Sequence, residues 1–426
     1  MSYEFYRSFD VSKKAYLTAE KALKECKNSF EEIDHLREYN QLRTIKAFQN
    51  AKINSSDFQN FSGYGYSDSG REAVEKIYAE IFSAEQALVR IQFSSGTQVI
   101  STMLKGILRP HDRFLIITGD VYDTLKFTLG INQKEDQASL KDFLIDFDQL
   151  NLDPKGEVDL ESLKNIFKNK NQKYKAVYIQ RSRGYTMRPA LTNEKIAVIC
   201  KIIKAQNPNV IIMLDNCYGE LTQRNEPLAF GVDIMAGSLI KNPGAGIAPS
   251  GGYIAGKSNL VELCAEQMIA SGVGSEIGPS LGFSKAIAQG IYMAPQIVAT
   301  ALKIAVFAAT FFQNENYIVE PKPHDVRADI VQTINFDNKE KLIKFCQSIQ
   351  ECSAIDSQYA PIPAPMSGYD CDIIMASGSF TQGSSIELSA DGPLRPPFTA
   401  FLQGGLNFES GYLACMKAMD QLWQEA

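Results

Sequence analysis

An acid and an amine each follow a strand-like apolar run near the middle of the chain. Asp215 closes the run at residues 210–214, and Lys241 follows the run at residues 233–239 within a stretch rich in glycine and proline. In a doubly wound sheet the carboxyl ends of strands open on one crevice, so we expect the two side chains to meet there. Pyridoxal phosphate (PLP) needs such a pair. The lysine forms a Schiff base with its aldehyde, and the carboxylate keeps its pyridine nitrogen protonated.

A turn and a helix start could hold the phosphate of this cofactor. Residues 87–93 alternate like a strand and lead into Ser95, Gly96 and Thr97. Ser95 and Gln98 have the spacing of a capping box, and a glycine lets the backbone approach a ligand closely. The start of a helix presents free amide hydrogens and a positive dipole end to an anion. A plain helix cap explains this short motif equally well.

Tyr122 and several arginines follow other predicted strands. Tyr122 lies just beyond the strand predicted at residues 113–118, where it could be part of the core or lie flat on a cofactor ring. Residues 180–189 carry Arg183 among three arginines, a candidate substrate contact or a surface ion pair. Arg395 precedes two prolines, which exclude a helix and predict an extended backbone. Its guanidinium suits a substrate carboxylate, and the alternative is a surface salt bridge.

The N-terminal 70 residues combine a helical arm with a tyrosine-rich loop. Helical spacing over residues 3–50 predicts an amphipathic arm that has to lie on something larger, with a partner subunit as one candidate. Residues 61–70 form a glycine, serine and tyrosine loop that contains Tyr64 and Tyr66, either a mobile connection or a functional segment. Ser69 and Glu72 predict a capping box for a helix at residues 71–82.

The order of the predicted elements indicates two α/β units. Strands at residues 113–118, 176–180 and 210–214 alternate with helices, which predicts a three-layer domain with parallel crossovers. After residue 317, strands at 329–336, 372–376, 385–388 and 398–403 and helices at 339–350 and 412–424 predict a smaller α+β domain. We therefore predict an arm at residues 1–60, a large domain at 61–316 and a small domain at 317–426.

Composition excludes several classes of partner. The 426 residues are 45% hydrophobic and 22% charged, and the net charge of −6 without a basic cluster argues against nucleic acid or an anionic membrane. No GxGxxG follows a strand, so a dinucleotide-binding protein is not predicted. The apolar run at residues 295–312 contains Gln296 and Lys303, which predicts a buried or interfacial helix rather than a membrane span.

The cysteines and the N-terminus bear on metal binding and location. Eight cysteines lack any CxxC pair and only three histidines are present, so we predict no metal site. Buried free thiols in a reducing compartment are the expected state of these cysteines. The polar N-terminus has no apolar core of a secretory signal. These features together predict a cytoplasmic protein.

Several segments resemble a known family. LRPHDRFLI with Tyr122, DNCYGE with Asp215 and GSLIKN with Lys241 resemble the PLP-dependent Cys/Met-metabolism family, which has the aspartate-aminotransferase-type fold. YGYSDSGRE, FSSGTQ, QRSRGY and GSLIKNPGAGIAPSGGYIAG resemble its methionine γ-lyase-like branch, also described as aluminium resistance proteins. The similarity runs in order from about residue 61 to the C-terminus. It implies fold type I, with a large three-layer α/β/α domain and a smaller C-terminal α+β domain.

The resemblance also implies roles for individual residues. Lys241 would form the Schiff base and move the substrate α-proton, Asp215 would pair with the pyridine nitrogen, and Tyr122 would stack on the ring. The phosphate would be held by Ser95, Gly96, Thr97 and Ser238. The tyrosine pair Tyr64 and Tyr66 would reach the site of a neighbouring subunit in a homodimer or homotetramer, with Tyr64 near the substrate and Arg395 on its α-carboxylate.

Two positions depart from the better-known lyases of this family. Tyr66 occupies the place where those enzymes carry an arginine, and Ile240 stands where a hydroxyl residue often precedes the lysine. The resemblance still implies a carbon–sulfur lyase that carries out β- or γ-elimination on cystathionine, methionine or a cysteine derivative. The alternatives are an aminotransferase and a non-catalytic stress or resistance protein on the same scaffold. A lysine that attacks at neutral pH needs a lowered pKa, which desolvation or positive neighbours would supply.

Overall fold

Short, buried runs of aliphatic and β-branched residues form the main sheet of the protein. The computed structural model describes residues 3–131, 138–169, 173–366 and 369–424. Within these ranges a seven-stranded sheet has the order β1-β7-β6-β5-β4-β2-β3. Its strands are Gln86–Arg90 (β1), Arg113–Ile116 (β2), Asp146–Gln149 (β3), Ala176–Gln180 (β4), Ile211–Asp215 (β5), Ile234–Ser238 (β6) and Gly252–Gly256 (β7).

The direction of the strands brings one edge of this sheet to the site. Strands β2, β3, β4, β5 and β6 pair in parallel, and β7 runs antiparallel to β1 and to β6. In the register of β5, Asp215 lies opposite Gln180 on one side and Ala236 on the other. The strand that ends in Asp215 therefore lies next to β6, whose exit loop leads to Lys241.

Helices cover both faces of this sheet. Adjacent β5 residues belong to different core clusters, Met213 to one and Leu214 to the other, as expected of a strand buried on both faces. This confirms the three-layer fold. The helices are Tyr3–Arg7 (α1), Lys13–Glu25 (α2), Lys27–Ala51 (α3), Ser69–Phe82 (α4), Gly96–Ile107 (α5), Asp123–Leu129 (α6), Leu160–Lys168 (α7), Asn193–Gln206 (α8), Ser258–Met268 (α9), Ser284–Asn314 (α10), Lys339–Glu351 (α11) and Phe408–Trp423 (α12).

A smaller, antiparallel sheet forms the C-terminal α+β unit with α11 and α12. Its strand order is β10-β11-β12-β9-β8. The strands are Ile318–Glu320 (β8), Gln332–Asn335 (β9), Ile373–Ser377 (β10), Ser389–Pro393 (β11) and Thr399–Gln403 (β12). The predicted strand at 385–388 is wrong, because Glu387 there accepts backbone amides of Phe380 and Thr381 in a loop. The extended backbone predicted at Arg395 is also wrong: its carbonyl accepts the Phe398 amide across a turn.

The N-terminal arm lies on its own chain. The Lys303 ammonium on α10 binds the Asp34 carboxylate on α3 at 2.8 Å, and the Asn40 side chain donates to the Leu221 carbonyl at 3.0 Å. The start of α2 is held by Asp420, which accepts the Ser12 amide. The arm therefore lies on something larger, as expected, and this surface is provided by α10 and α12 of its own chain.

Two further sequence predictions concern helices. The apolar run at 295–312 belongs to α10, whose length and composition would allow a membrane span, but 72% of its most apolar window is buried inside the protein. The prediction of a buried helix is thus confirmed. The capping box at Ser69 is wrong: Asp68 caps α4 by accepting the Arg71 amide at 3.0 Å, one position earlier.

The eight cysteines are free thiols, six of them buried.

Candidate active site

A cavity of about 290 Å³ lies between the carboxyl edge of the large sheet and one face of the small sheet. The large unit contributes side chains from the loops after β4, β5 and β6 and from the start of α5. The small unit contributes side chains from β10, β11 and β12. The lining of the cavity includes Gly96, Thr97, Tyr122, Asp123, Ser182, Gly184, Tyr185, Asp215, Cys217, Tyr218, Lys241, Tyr369, Met375, Ser377, Ser384, Ser385, Ser389, Asp391, Phe401 and Gln403.

Lys241 enters this cavity from the loop after β6. Its Nζ lies 3.9 Å from the centroid of the Tyr218 ring, a cation–π contact. The neighbouring Asn242 is buried and donates to the carbonyls of Tyr218 and Glu220 at 3.0 and 2.9 Å. These bonds tie the lysine loop to the loop after β5. Tyr218 was missed in the sequence analysis, although its place three residues after Asp215 in DNCYGE is the signal that points to it.

Asp215 lines the same cavity from the end of β5. Its Oδ1 accepts the Cys217 amide at 3.0 Å, which fixes the carboxylate at the start of the loop. Beneath this loop, Arg181 donates to Asn216 Oδ1 at 2.8 Å, and Asn216 in turn donates to Glu226 at 3.0 Å. Buried polar networks of this kind rigidify the groups that they hold. The structure therefore brings together the acid and the amine that the sequence singled out.

The start of α5 faces the cavity with Gly96 and Thr97. A methyl group built on Gly96 would lie 3.5 Å from Ser238 Cβ, so the glycine keeps a shallow space open between α5 and the end of β6. Ser95 Oγ accepts the Gln98 amide at 3.1 Å and acts as the cap. The second half of the predicted capping box is wrong, because Gln98 Oε1 accepts the amide of Ser94 at 2.7 Å. The free amides of this helix start suit an anion.

Tyr122 stands between this anion site and β4. Its amide donates to Gln180 Oε1 at 2.9 Å, and its hydroxyl donates to Thr97 Oγ1 at 3.4 Å. Burial, together with the nearby Asp215, raises the pKa of Tyr122, so the phenol stays protonated at neutral pH. A neutral, fixed aromatic wall beside a carboxylate and an amine is suited to hold a planar heterocycle.

The protonation of Lys241 differs from the expectation. Burial lowers the pKa of its amine, but the neighbouring Cys217, Tyr218 and Asp215 together raise it above the ordinary value. The expectation of a lowered pKa for Lys241 is therefore wrong for the protein without its cofactor. The reason is that the groups around the amine are acids and not cations. A charge that neutralises Asp215 would remove part of this rise.

The structure does not bring the two predicted substrate arginines into the cavity. Ser182 and Gly184 line it, whereas Arg183 between them is buried and donates to the Glu320 carbonyl at 3.3 Å. Arg395 donates to the exposed Asp370 at 2.8 Å, which is the surface salt bridge that the sequence left open as an alternative. Among the described residues that line the cavity, none is an arginine and Lys241 is the one cation.

Tyr64 and Tyr66 lie on the surface of this chain and do not reach its cavity. Their side chains are 70% and 62% exposed, and their ring centroids are 5.7 Å apart. The loop that carries them is held from below, since the Gly278 amide donates to the Tyr64 carbonyl at 2.9 Å and Arg71 donates to the Gly65 carbonyl at 3.0 Å. Two aromatic rings are thus presented to solvent on an anchored loop.

The wall formed by the small sheet was not found in the sequence. Met375, Asp391 and Phe401 form one row across β10, β11 and β12, and Ser377, Ser389 and Gln403 form the next, because these residues are cross-strand partners. All six line the cavity. The signal was the alternation of Ser389 and Asp391 in SADGP, which the misplaced strand at residues 385–388 concealed. We call this face the small-sheet wall.

The fold and the site together define a class. A PLP-dependent protein of fold type I has a lysine and an aspartate near the ends of neighbouring strands, a helix start open to an anion and an aromatic wall. This site has a half-buried Lys241, a buried Asp215, the start of α5 and Tyr122 in these places. Known proteins agree with this: the Escherichia coli PLP-dependent protein YhfS superposes with a TM-score of 0.61 over 92% of this chain and 97% of its own, at 14% identity, which shows the fold alone.

The chain belongs to the methionine gamma-lyase family, whose sequence profile matches residues 15–423. Three relatives cover nearly all of it. An uncharacterized Bacillus subtilis protein, YnbB, is 43% identical over 92% of this chain and 93% of its own. A Listeria monocytogenes protein, named provisionally as a cystathionine beta-lyase involved in aluminium resistance, is 44% identical with a TM-score of 0.92, over 95% of this chain and 99% of that one. A Clostridium novyi carbon-sulfur lyase involved in aluminium resistance is 39% identical with a TM-score of 0.94, over 98% of each chain.

Proposed function

We propose that this protein is a PLP-dependent carbon–sulfur lyase that cleaves a thiol from a sulfur-containing amino acid. The observation that carries the proposal is the placement of Lys241 and Asp215 in one cavity, on loops joined by Asn242. Membership of the methionine gamma-lyase family and the names of the relatives from Listeria and Clostridium support the reaction class.

The side chains around the cavity fit PLP. Gly96 and Thr97 would hold its phosphate, with the buried Ser238 packed next to Gly96. Asp215 would hold its ring nitrogen, Tyr122 its ring face and Lys241 its aldehyde carbon. When bound, PLP supplies an electron sink for the pair released at the substrate α-carbon. With the cofactor and substrate bound, the Lys241 amine would take the α-proton and return a proton to the leaving sulfur. The amine is partly shielded from solvent, and this strengthens its interaction with Asp215.

The overall reaction is balanced without an oxidant. In a β-elimination the Cα–H and Cβ–S bonds break, the sulfur leaves as a thiol, and water then converts the remaining amino-acrylate to pyruvate and ammonia. γ-Elimination on methionine differs by a second proton movement at Cβ and yields 2-oxobutyrate. Both reactions consume one water and produce one thiol, one ammonia and one 2-oxo acid, so product identity separates them.

A product survey tests the proposal. The PLP-loaded protein would be incubated with L-cystathionine, S-substituted L-cysteines and L-methionine, and the thiol, ammonia and 2-oxo acid would be quantified. We expect equimolar products with wild type and none with Lys241→Ala, which removes the proton-transfer group. An aminotransferase would instead release no ammonia and require an added 2-oxo acid. The absence of all products, with PLP bound, would indicate a non-catalytic protein on this scaffold.

We further propose that Tyr64 and Tyr66 complete the cavity of a second subunit in a homodimer or homotetramer. Their exposure on a loop anchored by Arg71, away from the cavity of their own chain, supports this. We also propose that the protein is located in the cytoplasm, because its eight cysteines are free thiols, as expected in a reducing compartment. Light scattering that shows an active monomer would refute the shared site.

A further inference from the structure

One carboxyl group in the cavity, that of Asp391, takes no part in the proposed lyase reaction. Three aspartates line the cavity: Asp123, Asp215 and Asp391. Asp215 is assigned to the cofactor, and Asp123 is paired with Lys126 at 2.7 Å. Asp391 has no cation within ion-pair distance among the described residues. A buried acid without a counter-ion is costly, and such groups mark places where a ligand completes the charge balance.

The surroundings of Asp391 leave one of its oxygens open. It belongs to the small-sheet wall, opposite Phe401 on β12 and Met375 on β10, and is 8% exposed. Gln403 Nε2 donates to its Oδ2 at 3.2 Å, whereas Oδ1 receives no well-formed hydrogen bond. Burial raises the pKa of Asp391 to about 7, and the nearby Tyr185 hydroxyl and Gln403 amide oppose the rise. An ammonium beside this carboxyl would lower its pKa again.

Three serine hydroxyls without partners share the cavity with this acid. Ser384, Ser385 and Ser389 line the same cavity, are nearly fully buried, and their Oγ atoms make no hydrogen bond with the described residues. Buried hydroxyls are normally satisfied, so three such groups in the same cavity as an open carboxyl oxygen indicate a polar ligand. The hydroxyls can donate to a carboxylate, and Asp391 can accept from an ammonium.

We propose that the small-sheet wall is the subsite for the far end of the substrate side chain, and that Asp391 selects substrates whose side chain ends in an ammonium group. The inference rests on the proposed lyase function and specifies its substrate class: a thioether whose leaving thiol carries an amine, with a neighbouring carboxylate held by the serine hydroxyls. A substrate that ends in a methyl group, such as methionine, would leave Asp391 and the three hydroxyls unpaired, which sites built for hydrogen bonding discriminate against strongly.

Two synthetic substrates test Asp391 directly. S-(3-aminopropyl)-L-cysteine ends in an amine and S-(3-carboxypropyl)-L-cysteine ends in a carboxylate on a spacer of the same length. With the PLP-loaded wild type we expect kcat/KM to favour the amine by about tenfold or more. Asp391→Asn keeps the shape and removes the charge, so the preference should fall to about onefold to twofold through a rise in KM for the amine. The ratio is measured on one protein sample and does not depend on the folded fraction.

A matched control is the same substitution at another lining acid. Asp123→Asn changes a carboxyl group that Lys126 already neutralises, and it should keep the preference for the amine. The proposal is overturned if wild type shows no preference or if Asp391→Asn retains it. If neither compound is cleaved, the product survey with L-cystathionine, S-substituted L-cysteines and L-methionine decides the lyase function separately. Calorimetric titration of the same PLP-loaded proteins then decides the subsite, with tighter binding of the amine by wild type alone as the supporting result and equal binding as the refuting one.

Discussion

The ammonium of Lys241 lies over the ring of Tyr218, with 3.9 Å between Nζ and the ring centroid. Tyr218 has a left-handed backbone conformation, with φ of 70°, and its carbonyl accepts the Asn242 side chain. Asn242, the residue after Lys241, thus fixes the position of Tyr218, whose ring contacts the Lys241 ammonium. The position of the reactive amine depends on two loops that are joined by buried hydrogen bonds.

Substitution of Tyr218 should change cofactor binding more than folding. Lys241 and Tyr218 are half-buried, and a cation–π contact in such a place is worth roughly 1–2 kcal/mol, so Tyr218→Ala should weaken PLP binding by about tenfold. Tyr218→Phe keeps the ring face and should bind PLP within about threefold of wild type. Equilibrium titration with PLP, followed by absorbance, measures both affinities. Equal affinity of the alanine variant and wild type would contradict a role for the ring.

Asn242 should be important for the stability of the whole site. Asn242→Ala removes two buried hydrogen bonds and leaves the carbonyls of Tyr218 and Glu220 unsatisfied. Each lost bond costs about 1–1.5 kcal/mol, so the free energy of unfolding should fall by about 2–3 kcal/mol. Urea denaturation of the PLP-free protein measures this free energy of unfolding without the contribution of cofactor binding. A loss below 0.5 kcal/mol, on the order of a surface substitution, would show that these bonds are not formed.

Glu220 should make stability depend on pH. Burial raises its pKa to about 8, while the Tyr253 hydroxyl donates to it at 2.9 Å and opposes the rise. Between about pH 4.5 and pH 8 the unfolded chain has lost this proton and the folded chain keeps it, so this group lowers the free energy of unfolding as pH rises. Its contribution should be on the order of 3 kcal/mol across the window.

The isosteric variant isolates this effect. Glu220→Gln cannot ionise, so its free energy of unfolding should fall less than that of wild type between pH 5 and pH 8, measured by urea denaturation at both values. Glu72→Gln, in the first turn of α4, is a control that changes an exposed carboxylate. Parallel pH profiles for wild type and Glu220→Gln would contradict the raised pKa.

Gly290 should be needed for the approach of α10 to the lysine loop. A methyl group at this position would lie 2.7 Å from the Gly244 carbonyl oxygen, in the turn that follows Lys241. Gly290→Ala should therefore displace this turn, with a loss of about 1–3 kcal/mol in stability and weaker PLP binding. The adjacent Gln289 is exposed, and Gln289→Ala serves as the control in thermal unfolding. A stabilised Gly290→Ala protein would show that the turn moves freely.

A shared site can be tested by mixing two inactive variants. If Tyr64 completes the cavity of a partner subunit, Tyr64→Ala and Lys241→Ala should each have little activity alone. After dissociation and reassembly at equal amounts, half of the dimers would be hybrids with one intact site, so about a quarter of wild-type activity should return. Steady-state assay before and after mixing measures this. The absence of any recovery, with hybrids confirmed by mass, would contradict the sharing.

The sequence by itself determined the fold and the central pair of the site. Asp215 and Lys241 end apolar runs, and because parallel strands deliver their carboxyl ends to one edge, their approach followed from the pattern alone. The Ser95 cap and the start of α5 followed in the same way, since capping depends on neighbours within four residues. These features are local, or they follow from the topology of a sheet.

Only the tertiary structure decided the far wall of the cavity and the fate of the arginines. Ser389 and Asp391 meet Phe401 and Gln403 through strand register, which a one-residue shift would reverse, and SADGP carries weak strand propensity. Arg395 forms a salt bridge with the exposed Asp370 and does not line the cavity, and no sequence spacing reveals this partner. The arm was covered by α10 and α12, which lie far along the chain. Contacts between distant segments depend on packing, and for this reason the substrate side of the site emerged from the structure and the cofactor side from the sequence.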